Sequence, residues 1–120
     1  MMLLTIPGRL PGLNEMIDAA RISKYESAAQ KKTYTELVAW CCKAARLPKM
    51  NRIALDIIWY EPNAKRDFDN IVAGCKFLLD GMVTARVIPN DGQKNVESIK
   101  NVVRVDKDNP RIEVEISKEG

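Results

Sequence analysis

The chain has 120 residues, 46% apolar and 29% charged, with a formal net charge of +3 and no histidine. That length sets the expectation of one domain over residues 1–120, able to bury a core without metal or disulfide staples, and no apolar run approaches the ~20 residues of a membrane-spanning helix. Without histidine, acid–base and metal work falls to Asp, Glu, Lys or Tyr. Zinc is disfavoured further because Cys41, Cys42 and Cys75 form no C-x-x-C pair or disulfide framework, and with a short N-terminus lacking a basic leader this points to a reduced, cytoplasmic protein without a membrane partner.

Charge is unevenly distributed. Residues 1–66 carry 11 Lys/Arg against 6 Asp/Glu, whereas residues 67–120 carry 8 against 10. A divalent cation held by the acidic half would leave a basic protein suited to a polyanion; an uneven solvated surface accounts for the same numbers.

In chain order, residues 2–6 alternate weakly as a short strand, and Pro7 to Asn14 is a turn-rich loop. Residues 15–23 are ambiguous, so residues 8–23 read as an extended loop. Ser23 with Glu26 three residues on forms a capping box that opens a helix to Arg46, closed by Pro48. Tyr25, Ala28, Ala29, Leu37, Trp40, Cys41 and Ala44 fall near one face and are expected in the core. Residues 52–60 form the clearest strand, with Ile53, Leu55, Ile57 and Trp59 pointing one way.

A second helix is expected from Asp67–Asp69 to Gly81–Thr84, with Ile71, Val72, Cys75, Leu78, Leu79 and Met82 as its apolar stripe and Asp69, Lys76 and Asp80 on the opposite ridge. Gly74, costly inside a helix by about 1 kcal/mol against alanine, marks a close approach by backbone or ligand. Residues 95–105 read as a strand with Ile99, Val103 and Val105 on one face and Val96 and Val102 on the other. Arg111–Ser117 reads as another, the two joined as a hairpin across Asp106–Pro110. The expected class is α+β, a mixed β-sheet with two main helices in the order β-α-β-α-β-β.

Chemistry concentrates between Lys65 and Gly92. Asp67 and Asp69 stand two apart where a strand gives way to a helix, and Asp91 lies in an Asp-Gly turn. Together they offer the oxygen ligands that Mg²⁺ prefers. Each also has a local reading, as a helix cap or a turn former. Lys76 would stabilise charge on an attacked phosphate, or simply pair with Asp80 four residues on. Lys65 and Arg66 would hold flanking phosphates or make a basic surface loop.

Arg66-Asp67-Phe68-Asp69-Asn70, then Lys76 to Gly81, then Asp91-Gly92-Gln93, preceded by Pro11-Gly12-Leu13-Asn14, resembles the RusA family of Holliday-junction resolvases, common in bacterial prophages. The likeness covers most of the chain. It implies a RusA-like fold and a Mg²⁺-dependent endonuclease (Mn²⁺ substituting) acting as a homodimer. Paired cuts across a four-way DNA junction would leave 5′-phosphate ends, in recombination and repair. By that resemblance Asp67, Asp69 and Asp91 bind metal and Lys76 joins them as catalytic; Lys65, Arg66, Arg9, Asn14 and Lys24 are the candidate DNA contacts. One departure stands out. Some members place the lysine four residues after the second aspartate, where this chain has Ala73, and Lys76 comes three residues later. A junction-binding protein without catalysis is the alternative. An Asp-x-Asp transferase ranks behind both, since no glycine-rich loop or nucleotide-binding unit is visible.

Overall fold

Alternation along residues 53–61 buries Ile53, Leu55, Ile57 and Trp59 on one side of the pleat, each at most 2% exposed. In the computed structural model, which describes residues 1–120, this strand is the second of four. The elements run β1 (Met2–Pro7), α1 (Leu13–Ile22), α2 (Lys24–Ala44), β2 (Ile53–Glu61), α3 (Phe68–Val72), α4 (Cys75–Thr84), β3 (Val96–Val105) and β4 (Arg111–Lys118). The class is α+β with a mixed sheet, as expected, but an additional helix precedes the first expected one and the second expected helix is broken, giving four helices where two main ones were expected.

The sheet order is β1-β4-β2-β3. β2 pairs in parallel with β3 and antiparallel with β4, and β1 pairs antiparallel with β4. The expected β3–β4 hairpin does not form, because β2 lies between the two strands. A parallel pair needs a long crossover, and α3 and α4 supply it. Residues 106–110 then arch over the end of β2, where the Asp106 N–H donates to the Glu61 carbonyl at 2.8 Å. Arg111 secures the arch, 2.8 Å from Asp106 and with its guanidinium 3.8 Å from the centre of the Tyr60 ring. A register shift between Ile53 and Ala54 skips Glu97, so Val96 joins Ile99 and Val103 against the core, while Val105 is exposed. That reverses the expected facing of Val96, since a one-residue slip exchanges the faces of a strand; Val105 keeps the face of Ile99 and Val103 but lies at the exposed end of β3.

The core lies between the sheet and the helices. Leu4, Ile6, Val38, Cys42, Phe77, Leu78, Met82, Val114 and Ile116 are among its buried members. Ser23 caps α2 as expected, its Oγ accepting the Glu26 N–H at 3.0 Å. The face α2 buries coincides with the expected one only at Leu37 and Cys41, which pack against the core. Val38, Ala39 and Cys42 go inward, whereas Trp40 is 70% and Tyr25 80% exposed. With helical apolar residues this plentiful, two adjacent stripes compete, and the partner α4 selects the one that packs.

Residues 13–22, read above as loop or ambiguous, form α1, whose capping box uses the Glu15 side chain on the Gly12 N–H at 3.0 Å. The expected single second helix breaks at Ala73–Gly74. Bonds from Gly74 N–H to Ile71, from Lys76 to Ala73 and from Phe77 to Gly74 tighten the chain there. Gly74 is a close approach, though to a side chain first where backbone or ligand was expected: an added Cβ would lie 3.2 Å from the Trp59 ring. No helix is long and apolar enough to cross a membrane.

Candidate metal and nucleic-acid site

The chain leaves β2 at Glu61, turns through Pro62–Lys65, where Asn63 Oδ1 accepts the Lys65 N–H at 3.0 Å, and enters α3 at Asp67. Asp67 occupies the N-cap position with extended backbone (φ −68°, ψ 153°), and its carbonyl accepts the Ile71 N–H at 3.1 Å. Its carboxylate makes no capping bond, although the N-cap is where an aspartate side chain ordinarily accepts one. The carboxylate of Asp69, one residue past exposed Phe68, accepts only the neighbouring Asn70 N–H at 3.0 Å. Both carboxylates are exposed.

Beneath this turn lies an ion network that the motif reading did not foresee. Glu61, 4% exposed, receives Arg9 at 2.7 Å and Arg66 at 3.4 Å. Arg66 also reaches Glu15 at 3.1 Å and the Leu10 carbonyl at 3.4 Å. Its side chain is 13% exposed. Two residues expected to touch phosphates, Arg9 and Arg66, are therefore occupied by carboxylates, tying the β1–α1 loop and α1 to the base of the aspartate turn. Asn70, 7% exposed, completes the joint: its Oδ1 accepts the Asn14 N–H at 2.9 Å. Gly12 is required there, because an added Cβ would overlap the Arg66 guanidinium and Asn70. Lys65 is exposed and makes no ion pair. Lys24 is equally free but lies beyond the far end of α1, roughly 15 Å from Asn14 by helix length.

Lys76 opens α4, 56% exposed, with its ammonium 3.5 Å from Asp80 Oδ2. That separation is an ion pair without a hydrogen bond, and the Asp80 oxygen is buried with no hydrogen-bond partner. The local alternative for Lys76 is thus formed. The three additional residues before the lysine are taken up by the break at Ala73–Gly74, so Lys76 sits on a helix separate from Asp69.

Asp91 is exposed on the turn after α4. Its N–H donates to Asn90 Oδ1 at 2.8 Å, and its carboxylate has no partner. Asn95, 5% exposed, anchors the turn by donating Nδ2 to the Asn51 carbonyl at 2.6 Å, while its N–H reaches the Gly92 carbonyl at 3.0 Å. The structure holds Asp67 and Asp69 on one turn and Asp91 on another, and no three acidic or cysteine side chains are gathered into a metal-holding group. The donor chemistry nevertheless suits a hard cation: the carboxylates of Asp67 and Asp91 are free of internal partners, and no nitrogen or sulfur donor competes.

Glu61, Asn70 and Asn95 are the positioning residues missed above. Asn70 had a signal, the Asp-x-Asp-Asn run itself; a buried glutamate ending a strand and an asparagine after a turn had none.

No curated protein matches this sequence. The family model for endodeoxyribonuclease RusA matches residues 11–117, spanning the end of the β1–α1 loop, the aspartate turn, Lys76, the Asp91 turn and strands β2 to β4. The chain belongs to the RusA family of endodeoxyribonucleases.

Proposed function

We propose that this protein is a divalent-metal-dependent endonuclease of one domain that acts on four-way DNA junctions. The observation that supports it most directly is Asp67, set at a helix N-cap with its carboxylate left uncommitted beside Asp69, in a chain of the RusA family. Asp67, Asp69 and Asp91 would hold Mg²⁺, with Mn²⁺ a substitute. When bound, such an ion acidifies a water and polarises the phosphate. The chain's own contribution is placement. Glu61 and Arg66 brace the aspartate turn from below, Asn70 fixes it to α1, and Lys76 brings a cation that can turn from Asp80 to a phosphate oxygen. Lys65 adds a free cation next to the turn. Paired incisions need two sites related by a two-fold axis, which a homodimer supplies.

The test is cleavage of a synthetic four-way junction with Mg²⁺ by wild type and by D69N. Paired nicks from the wild type and none from D69N support the proposal; equal cleavage by D69N refutes it. Thermal unfolding gives a readout independent of activity. Mg²⁺ raises the wild-type midpoint through binding to the native state and leaves D67N/D69N unmoved.

The separation of Asp91 from the other two aspartates and the Lys76–Asp80 pair favour a second reading, a junction-binding protein without catalysis. It requires salt-dependent junction binding with no nick at any Mg²⁺ or Mn²⁺ concentration.

A further inference from the structure

The helical side of the molecule carries cations that the candidate site does not use. Residues 24–49 hold six Lys/Arg and two Asp/Glu. Two concavities flank the last turn of α4. One, about 340 Å³, is lined by Lys31, Lys32, Thr35 and Thr84, with Glu36 its only acid. The other, about 220 Å³, is lined by Lys49, Arg86 and Pro89 together with Val83, and contains no acid. None of the four cations makes an ion pair, whereas Arg9, Arg52, Arg66 and Arg111 all do. Lys31 and Lys32 are exposed on α2, and Arg86 is exposed just past α4.

Position connects these cations to the candidate site. Lys76, Asp80 and Thr84 follow i, i+4, i+8 along one ridge of α4, so Thr84 lies roughly 12 Å beyond Lys76. Pro89 at the edge of the second concavity is two residues from Asp91. One strand of duplex DNA advances ~3.4 Å per phosphate, so three to four phosphates span the distance from Lys76 to Thr84.

We infer that Lys31, Lys32, Lys49 and Arg86 form a phosphate-binding track around the end of α4, taking the backbone of a DNA arm as it leaves the scissile linkage. The inference rests on the nuclease reading and extends it to the path of the substrate. As contacts to phosphate, these cations and hydroxyls would position the arm without carrying sequence information. An acidic protein segment would meet the same cations. DNA is favoured because the track lies within about three to four phosphates of Lys76 along α4 and reaches Pro89, two residues from Asp91.

The experiment is equilibrium binding of a labelled four-way junction across a salt series, in chelator so that no cleavage intervenes. The proteins are wild type, K31A/K32A, K49A/R86G and the control K107A/K118A, which removes the same charge from exposed positions in the arch after β3 and at the end of β4. Arg86 has a left-handed backbone (φ 62°), so glycine removes its cation without cost to the turn. The plot of log K against log salt is expected to become shallower by about 0.9 for each phosphate no longer neutralised in both track variants and to stay at the wild-type slope in the control. Wild-type slopes in both track variants, or an equal change in the control, overturn the track while leaving the nuclease reading intact. A wild type that fails to bind the junction overturns both. An unchanged junction slope accompanied by weaker binding to a polyglutamate peptide assigns the track to an acidic protein segment and overturns the DNA assignment.

Discussion

The Asn70 carboxamide oxygen accepts the main-chain N–H of Asn14 at 2.9 Å, across 56 residues of sequence. This bond joins the first turn of α1 to the turn that carries Asp67 and Asp69, so the candidate ligands are set by contacts from the N-terminal loop as well as by their own helix. Arg66 reinforces the joint from the other side through Glu15 and Glu61.

Loosening that joint is expected to cost stability. Gly12→Ala forces a methyl group into the space of Arg66 and Asn70, an overpacking worth about 1–3 kcal/mol. Asn70→Ala leaves the Asn14 N–H without its acceptor, at about 1–2 kcal/mol. Urea unfolding midpoints measure both, and values within error of wild type would show that α1 is not anchored there.

The two tryptophans are expected to respond oppositely. Trp59 is 2% exposed and donates its indole N–H to Asn101 at 2.8 Å, so Trp59→Ala should cost about 3–5 kcal/mol. Trp40, 70% exposed, should tolerate alanine within about 0.5 kcal/mol. Each single variant leaves one tryptophan, so fluorescence-monitored unfolding reads both cost and environment. A large loss from Trp40→Ala would place it in an interface.

Thiol reactivity should follow burial. Desolvation pushes Cys42 up to about 12 and Cys75 up to about 11, from an ordinary 9.0. Near neutral pH both remain protonated, and a thiol reagent should label neither until the chain unfolds. The folded state favours the protonated form, so these two thiols support stability below pH 9.0 and withdraw that support as pH rises through their folded values. Labelling kinetics with and without denaturant check the first point, and alkaline unfolding of wild type against C42A/C75A checks the second.

The arch over β2 is expected to be acid-sensitive. The Arg111 hydrogen bond holds the Asp106 carboxyl below its ordinary 3.8, helped by the Asn109 and Asp108 N–H groups. A depressed folded pKa means stabilisation present above the unfolded value and lost as pH falls below 3.8 toward the folded one. Asp106→Asn should therefore lower the neutral plateau, leave the strongly acidic end unchanged and so flatten the acid side of the stability–pH profile. A steepened acid limb would contradict the pairing.

Local pattern by itself determined the strands, the Ser23 cap and the tight spot at Gly74. These follow from period, capping and residue type, which act over a few neighbours. Tertiary structure alone decided that β2 separates β3 from β4, since the partner of a strand depends on residues far away in sequence. It also chose which of two apolar stripes of α2 turned inward, leaving Trp40 in solvent, and it committed Arg9 and Arg66 to a buried glutamate. Whether a cation faces a carboxylate or a phosphate is settled by what the fold brings alongside it, and no spacing along the chain records that.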